Sequence, residues 1–102
     1  MKGFKTQLTH QIAEAFINVL TNILNAEYED DDDKLVMAAL DEVRIRLMKK
    51  VINYQSQYTI TFTPAQAIAL RILYVHFTPP ETTQFSNRLH MIANEVHQFY
   101  YS

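Results

Sequence analysis

The chain has 102 residues, 48% of them hydrophobic and 20% charged, with a formal net charge of −2. This length and apolar share predict a single globular domain, 1–102, with an ordinary hydrophobic core. The absence of cysteine excludes disulfides, thiol catalysis, iron–sulfur clusters and cysteine-ligated zinc, and the small net charge gives no global pull toward nucleic acid or an anionic membrane.

The first residues, Met1 to Gln7, lack the apolar core of a secretory signal. The longest strongly apolar segment, Ala65 to Phe77, carries Arg71 and is too short to span a bilayer, so no membrane association and a cytoplasmic location are expected. A first helix is predicted from Leu8 or Thr9 to Ala26, with Thr9 as its N-cap. Ile12, Phe16, Val19, Leu20 and Ile23 recur at helical spacing, and Ile17 and Leu24 widen the apolar arc enough for two neighbours.

Glu27 to Asp33 is a run of acids interrupted only by Tyr28. A second helix should begin within it, near Asp31 or Asp32, where carboxylates face the positive end of the helix dipole, and run to about Tyr54. Val36, Leu40, Val43, Leu47, Val51 and Tyr54 form its apolar stripe. Ile45 and Ile52 fall roughly opposite that stripe, as candidates for contact with a partner chain or a crossing helix. Glu42 precedes Arg46 by one turn, the favourable order for a surface ion pair.

Tyr58, Ile60 and Phe62 then alternate with Thr59, Thr61 and Thr63, the period of an extended segment. With no second segment recognised to pair with it, 58–63 is expected to be a connector lying on the core, in preference to a strand pairing with its copy in a dimer. Thr63-Pro64-Ala65-Gln66 is a helix-start signal: Thr63 as N-cap, proline where no amide hydrogen is needed, and Gln66 closing a capping box. The helix it opens is apolar nearly all round and is predicted to be the buried centre of the fold. Arg71 within it should either reach out to solvent or pair with Glu14, Glu42 or Glu95. Thr78-Pro79-Pro80 should end it.

The last helix is expected from about Glu81–Thr83 to Phe99, with Phe85, Leu89, Ile92, Val96 and Phe99 facing inward. Asn87, His90, Asn94 and His97 form a polar stripe on its other side, a candidate interface. The aromatic end, Phe99-Tyr100-Tyr101, should dock onto the body of the molecule or onto a second subunit.

Specific chemistry is hard to find. The acids of 27–33 are consecutive and lack the glycine turn of a calcium loop. His90 and His97 lie two turns apart, about 10 Å along the axis, too far to share a metal, and no metal or other cofactor is expected. No glycine follows Gly3, so phosphate-binding glycine loops are absent. Ser56, Ser86 and Ser102 have no flanking glycine, and His76 has no carboxylate near it in sequence, so no nucleophile–base pair stands out. Arg44, Arg46, Lys49 and Lys50 are spread around the second helix among acids. A loose helix-turn-helix spacing from Thr63 to His90 would offer DNA only Asn87 and Arg88 at the start of its second helix.

These readings combine into an all-α fold: a compact bundle of about four helices with one short extended segment, 58–63, before the central helix. The expected function is a non-enzymatic protein–protein interaction module, forming a homodimer or binding another protein. The candidate interface residues are Ile45, Ile52, Phe99, Tyr100 and Tyr101, with Asn87, His90, Asn94 and His97 as a polar contact stripe. The alternative is a small nucleic-acid-associated regulator.

Overall fold

A computed structural model of the protein describes residues 2–25, 27–76 and 84–101. The element order is β1 (Phe4–Thr9), α1 (His10–Leu24), α2 (Asp31–Val51), β2 (Gln57–Phe62), α3 (Pro64–His76) and α4 (Gln84–Tyr101). The molecule is therefore mostly helical but not all-α, because β1 and β2 form a two-stranded antiparallel sheet.

The sheet corrects the reading of 58–63 as an unpaired connector. Phe4 faces Phe62, Thr6 faces Ile60 and Leu8 faces Tyr58. Phe4, Thr6 and Leu8 are buried while Lys5, Gln7 and Thr9 are exposed, the same two-residue period as in β2. Leu8 belongs to this strand rather than to α1. A two-stranded ribbon is marginal alone, and this one is held by its buried face: Tyr58, Ile60 and Phe62 sit in the same core as the helices. Gly3 lies against the partner strand, where a β-carbon would come within 3.0 Å of the Phe62 carbonyl oxygen.

The helix starts follow the sequence signals closely. Thr9 is the N-cap of α1, its Oγ1 accepting from the Ile12 amide at 3.2 Å. Asp30 caps α2 by accepting from the Asp32 amide at 2.8 Å, and Asp31, Asp32 and Asp33 fill the first turn. At α3 the capping box closes in both directions: the Gln66 amide donates to Thr63 Oγ1 at 3.2 Å, and the Thr63 amide donates to Gln66 Oε1 at 3.1 Å. Helix α2 stops at Val51, short of Tyr54, which stands exposed. The expected stop at Thr78-Pro79-Pro80 and the expected start of the last helix at 81–83 lie outside the described residues.

The helices close a ring: α1 packs on α2, α2 on α3, α3 on α4, and α4 on α1. Helix α3 is thus one side of the ring and not a hub surrounded by the others. Its broad apolar surface is used by α2 on one flank, α4 on the other and β2 near its start, while Val75 remains 62% exposed. The core itself is shared. Phe16 and Leu20, Leu40 and Leu47, Ile60 and Phe62, Leu70 and Leu73, and Leu89 and Ile92 are all essentially inaccessible, each burial being worth about 1.5–3 kcal/mol against the exposed state. The radius of gyration, 13.0 Å, is that of a compact chain of this length.

Candidate functional site

An open cleft of about 570 Å³ lies between the start of α1, the α2–β2 connection and the first turns of α4. His10, Tyr54, Ser56, Asn87, Arg88 and Met91 are among its walls. The β1–α1 junction places His10 there, because the chain passes from strand to helix at Thr9 and the His10 amide donates to the Ser56 carbonyl at 3.1 Å. Its ring stacks obliquely on Tyr54, 4.6 Å between centroids. Nε2 meets a Glu14 carboxylate oxygen at 2.7 Å and Nδ1 meets the Tyr58 hydroxyl at 2.8 Å. A carboxylate can only accept, so Nε2 carries a hydrogen. The Tyr58 hydroxyl also accepts from the Gln55 amide at 3.1 Å. Both imidazole nitrogens are therefore engaged, Nε2 within α1 and Nδ1 across to β2. The Nδ1 contact fastens the start of α1 to the start of β2.

Arg88 closes the other side of the cleft. Its Nη2 donates to Thr6 Oγ1 at 2.8 Å and to the Gln7 carbonyl at 2.9 Å, and Nη1 lies 4.0 Å from Glu95. This guanidinium fastens α4 to β1. Two of the basic residues of α2 also bond within the chain. Arg44 donates twice to Asp41, at 2.8 and 3.1 Å. Arg46 donates to Gln66 Oε1 at 3.0 Å, while the Gln66 side-chain amide donates to Glu42 at 2.9 Å. Gln66, only 3% exposed, thus takes the place of the direct Glu42–Arg46 pair expected along α2, and joins α2 to the start of α3.

The polar stripe of α4 divides. Asn87 lines the cleft. His90 Nδ1 and the Tyr74 hydroxyl of α3 lie 2.6 Å apart, and Asn94 Nδ2 lies 3.2 Å from His90 Nε2. His97 stacks on Tyr101, 5.3 Å between centroids. His76 is exposed at the end of α3, not buried, and shares a shallow depression with Asp32 and Asp33. Among the described residues, no group of three or more histidines or carboxylates is placed to hold a metal ion, and no helix is long and apolar enough to cross a membrane.

The three aromatic residues at the C-terminus dock on the body of the molecule. Phe99 meets Phe4 edge-on at 5.7 Å. The Tyr100 hydroxyl donates to the Lys2 carbonyl at 2.7 Å, and burial raises its ionisation above the ordinary value of 10.0. Tyr101 lies under the Arg71 guanidinium, 5.2 Å from the ring centroid, so Arg71 pairs with an aromatic face rather than with Glu14, Glu42 or Glu95. Phe99 and Tyr101 keep 48% and 55% exposure on their outer sides.

The outer face of α2 differs. Ile45 is 40% exposed, Met48 44% and Ile52 78%, while Met37, Leu40, Val43 and Leu47 occupy the buried face. Met48 also lines a depression with Ile17 and Val51, and Tyr54, beyond the helix end, is 73% exposed. The residues that sequence reasoning passed over are Met48, whose helical phase beside Ile45 and Ile52 was available, and His10, whose partners come from distant positions and leave no local signal. No protein-family model matches the chain, and no curated protein or solved structure is significantly similar to it.

Proposed function

We propose that the protein is a non-enzymatic protein–protein interaction module that associates with a second copy of itself through the outer face of α2. The observation that carries this reading is an alignment. Phe99 and Tyr101 are also about half exposed but pack on Phe4 and Arg71, whereas Ile45, Met48 and the C-cap residue Ile52 project together from one side of α2 with apolar area in solvent. Scattered exposed aliphatics are ordinary, but an aligned set on one rigid element is the geometry of a helix-mediated contact. The nucleic-acid alternative has less support, because Arg44, Arg46 and Arg88 are each drawn into contacts within the chain.

Light scattering on material eluting from a sizing column tests the reading. At tens of micromolar the wild-type chain is expected at twice its 11.9 kDa mass, and Ile45→Lys or Ile52→Lys at the mass of one chain with unchanged helical circular dichroism. A wild-type protein that stays monomeric at that concentration removes the proposal.

A further inference from the structure

The outer face of α2 carries a pattern as well as an exposed area. Ala38, Asp41, Ile45, Met48 and Ile52 follow one another at alternating steps of three and four residues, the spacing of a coiled-coil seam. This seam lies opposite the buried Leu40, Val43 and Leu47, so it is a second stripe on a helix whose first stripe is already used. The helix is also electrically polarised beyond its own dipole. Its N-terminal end holds Asp30, Asp31, Asp32 and Asp33, and its C-terminal half holds Arg44, Arg46, Lys49 and Lys50. A parallel pair of such helices would set acids beside acids and bases beside bases. An antiparallel pair avoids both clashes, opposes the two dipoles favourably, and can bring Asp41 of each chain to the basic C-terminal half of the other.

From this geometry, and resting on the self-association reading above, we infer that two copies pair antiparallel through α2, with Ile45 opposite Ile45 of the second copy. That register places Asp41 opposite Lys49 and Ala38 opposite Ile52, twice each by symmetry. The small alanine leaves room for the longer isoleucine. Asp41 uses Oδ1 for both Arg44 bonds, so Oδ2 can accept from the exposed Lys49 of the second copy. A register centred between Met48 and Lys49 brings the two Lys49 ammonium groups together with no carboxylate opposite, and is disfavoured on charge.

The chain has no cysteine, so single thiols report the pairing directly. Ala38→Cys and Ile52→Cys chains, both altered at exposed positions, are mixed in equal amounts, equilibrated and mildly oxidised. The expected product is the mixed 38–52 disulfide, with little crosslinking of either variant alone. Each variant crosslinking readily to itself indicates a parallel pair and overturns the arrangement while leaving self-association standing. A dimer by light scattering that forms no α2 disulfide does the same. A monomer removes both claims. Charge exchange supplies a second readout. Asp41→Lys and Lys49→Asp should each weaken the dimer roughly three- to thirty-fold, as expected for two rim pairs turned repulsive, and the double exchange should recover most of that loss. Failure of the double exchange to recover affinity overturns the Asp41–Lys49 register.

Discussion

The C-terminal end of α4 and the outer face of α2 look alike in the sequence, since both place large apolar side chains at the end of or beyond the expected core stripe. In the folded chain they differ. Phe99, Tyr100 and Tyr101 hold the molecule together: the first packs on Phe4 of β1, the second bonds to Lys2 just before that strand, and the third supports Arg71 on α3. Ile45 and Met48, at 40% and 44% exposed, are no more open to solvent than Phe99 and Tyr101, at 48% and 55%, but with Ile52 they line up along one helix instead of closing over another element. Excess apolar surface in a short sequence is therefore no direct measure of interface. Part of it is absorbed by elements, here β1, that close over it from far away in sequence.

This comparison separates the expected effects of substitutions. The largest loss of stability is expected from Phe4→Ala, because Phe4 is 6% exposed and packed between Phe62 and Phe99. Denaturant titration should show a loss of about 3–5 kcal/mol, and a loss below 1 kcal/mol would mean that β1 and the end of α4 do not brace each other. Gln66→Ala should cost about 1–3 kcal/mol, since it opens the capping box and strands partners on α2.

Tyr100→Phe should cost about 0.5–1.5 kcal/mol, the net value of one hydrogen bond. It also carries a pH signature. Burial raises the Tyr100 ionisation above 10.0 in the folded chain, so the folded state resists losing this proton more than the unfolded state does. The associated stability is fully present below pH 10 and is lost as pH rises through the raised value. Stability measured across that alkaline window should fall less steeply in Tyr100→Phe than in wild type. Arg71→Met should cost about 0.5–1 kcal/mol through its contact with Tyr101, measured by thermal unfolding. Smallest is Ile52→Lys, which in dilute monomeric solution should shift stability by no more than about 0.5 kcal/mol, while abolishing association at higher concentration. A large stability loss in the dilute monomer would place Ile52 with Phe4 as a structural residue and erase the distinction.

Much of the helical part of the fold was legible because its signals are local. Thr9, Asp30 and the Thr63–Gln66 box mark helix starts by hydrogen bonds that reach only two or three residues. The sheet was half legible. The alternation in β2 was plain, but that of Phe4, Thr6 and Leu8 was masked by a neighbouring helix signal, and a strand partner so far away in sequence cannot be inferred from either segment alone. Arg71 shows the same limit: its aromatic partner, like the partners of His10 and Arg88, is set by how α4 and β1 come together. At the candidate interface, Ile45 and Ile52 were legible from helical phase, whereas the docking of Phe99 and Tyr100 depended on the unrecognised N-terminal strand segment and that of Tyr101 on Arg71 of α3.

The central claim is that association uses α2 and leaves the end of α4 as a structural clamp. A dilution series followed by side-chain NMR tests it most directly, with methyl signals of Ile45, Met48 and Ile52 and ring signals of Phe99 and Tyr101 observed together. The account predicts concentration-dependent shifts at the three α2 methyl groups, with the C-terminal rings unchanged. Shifts confined to the rings, or no shift at either region up to tens of micromolar, would contradict it.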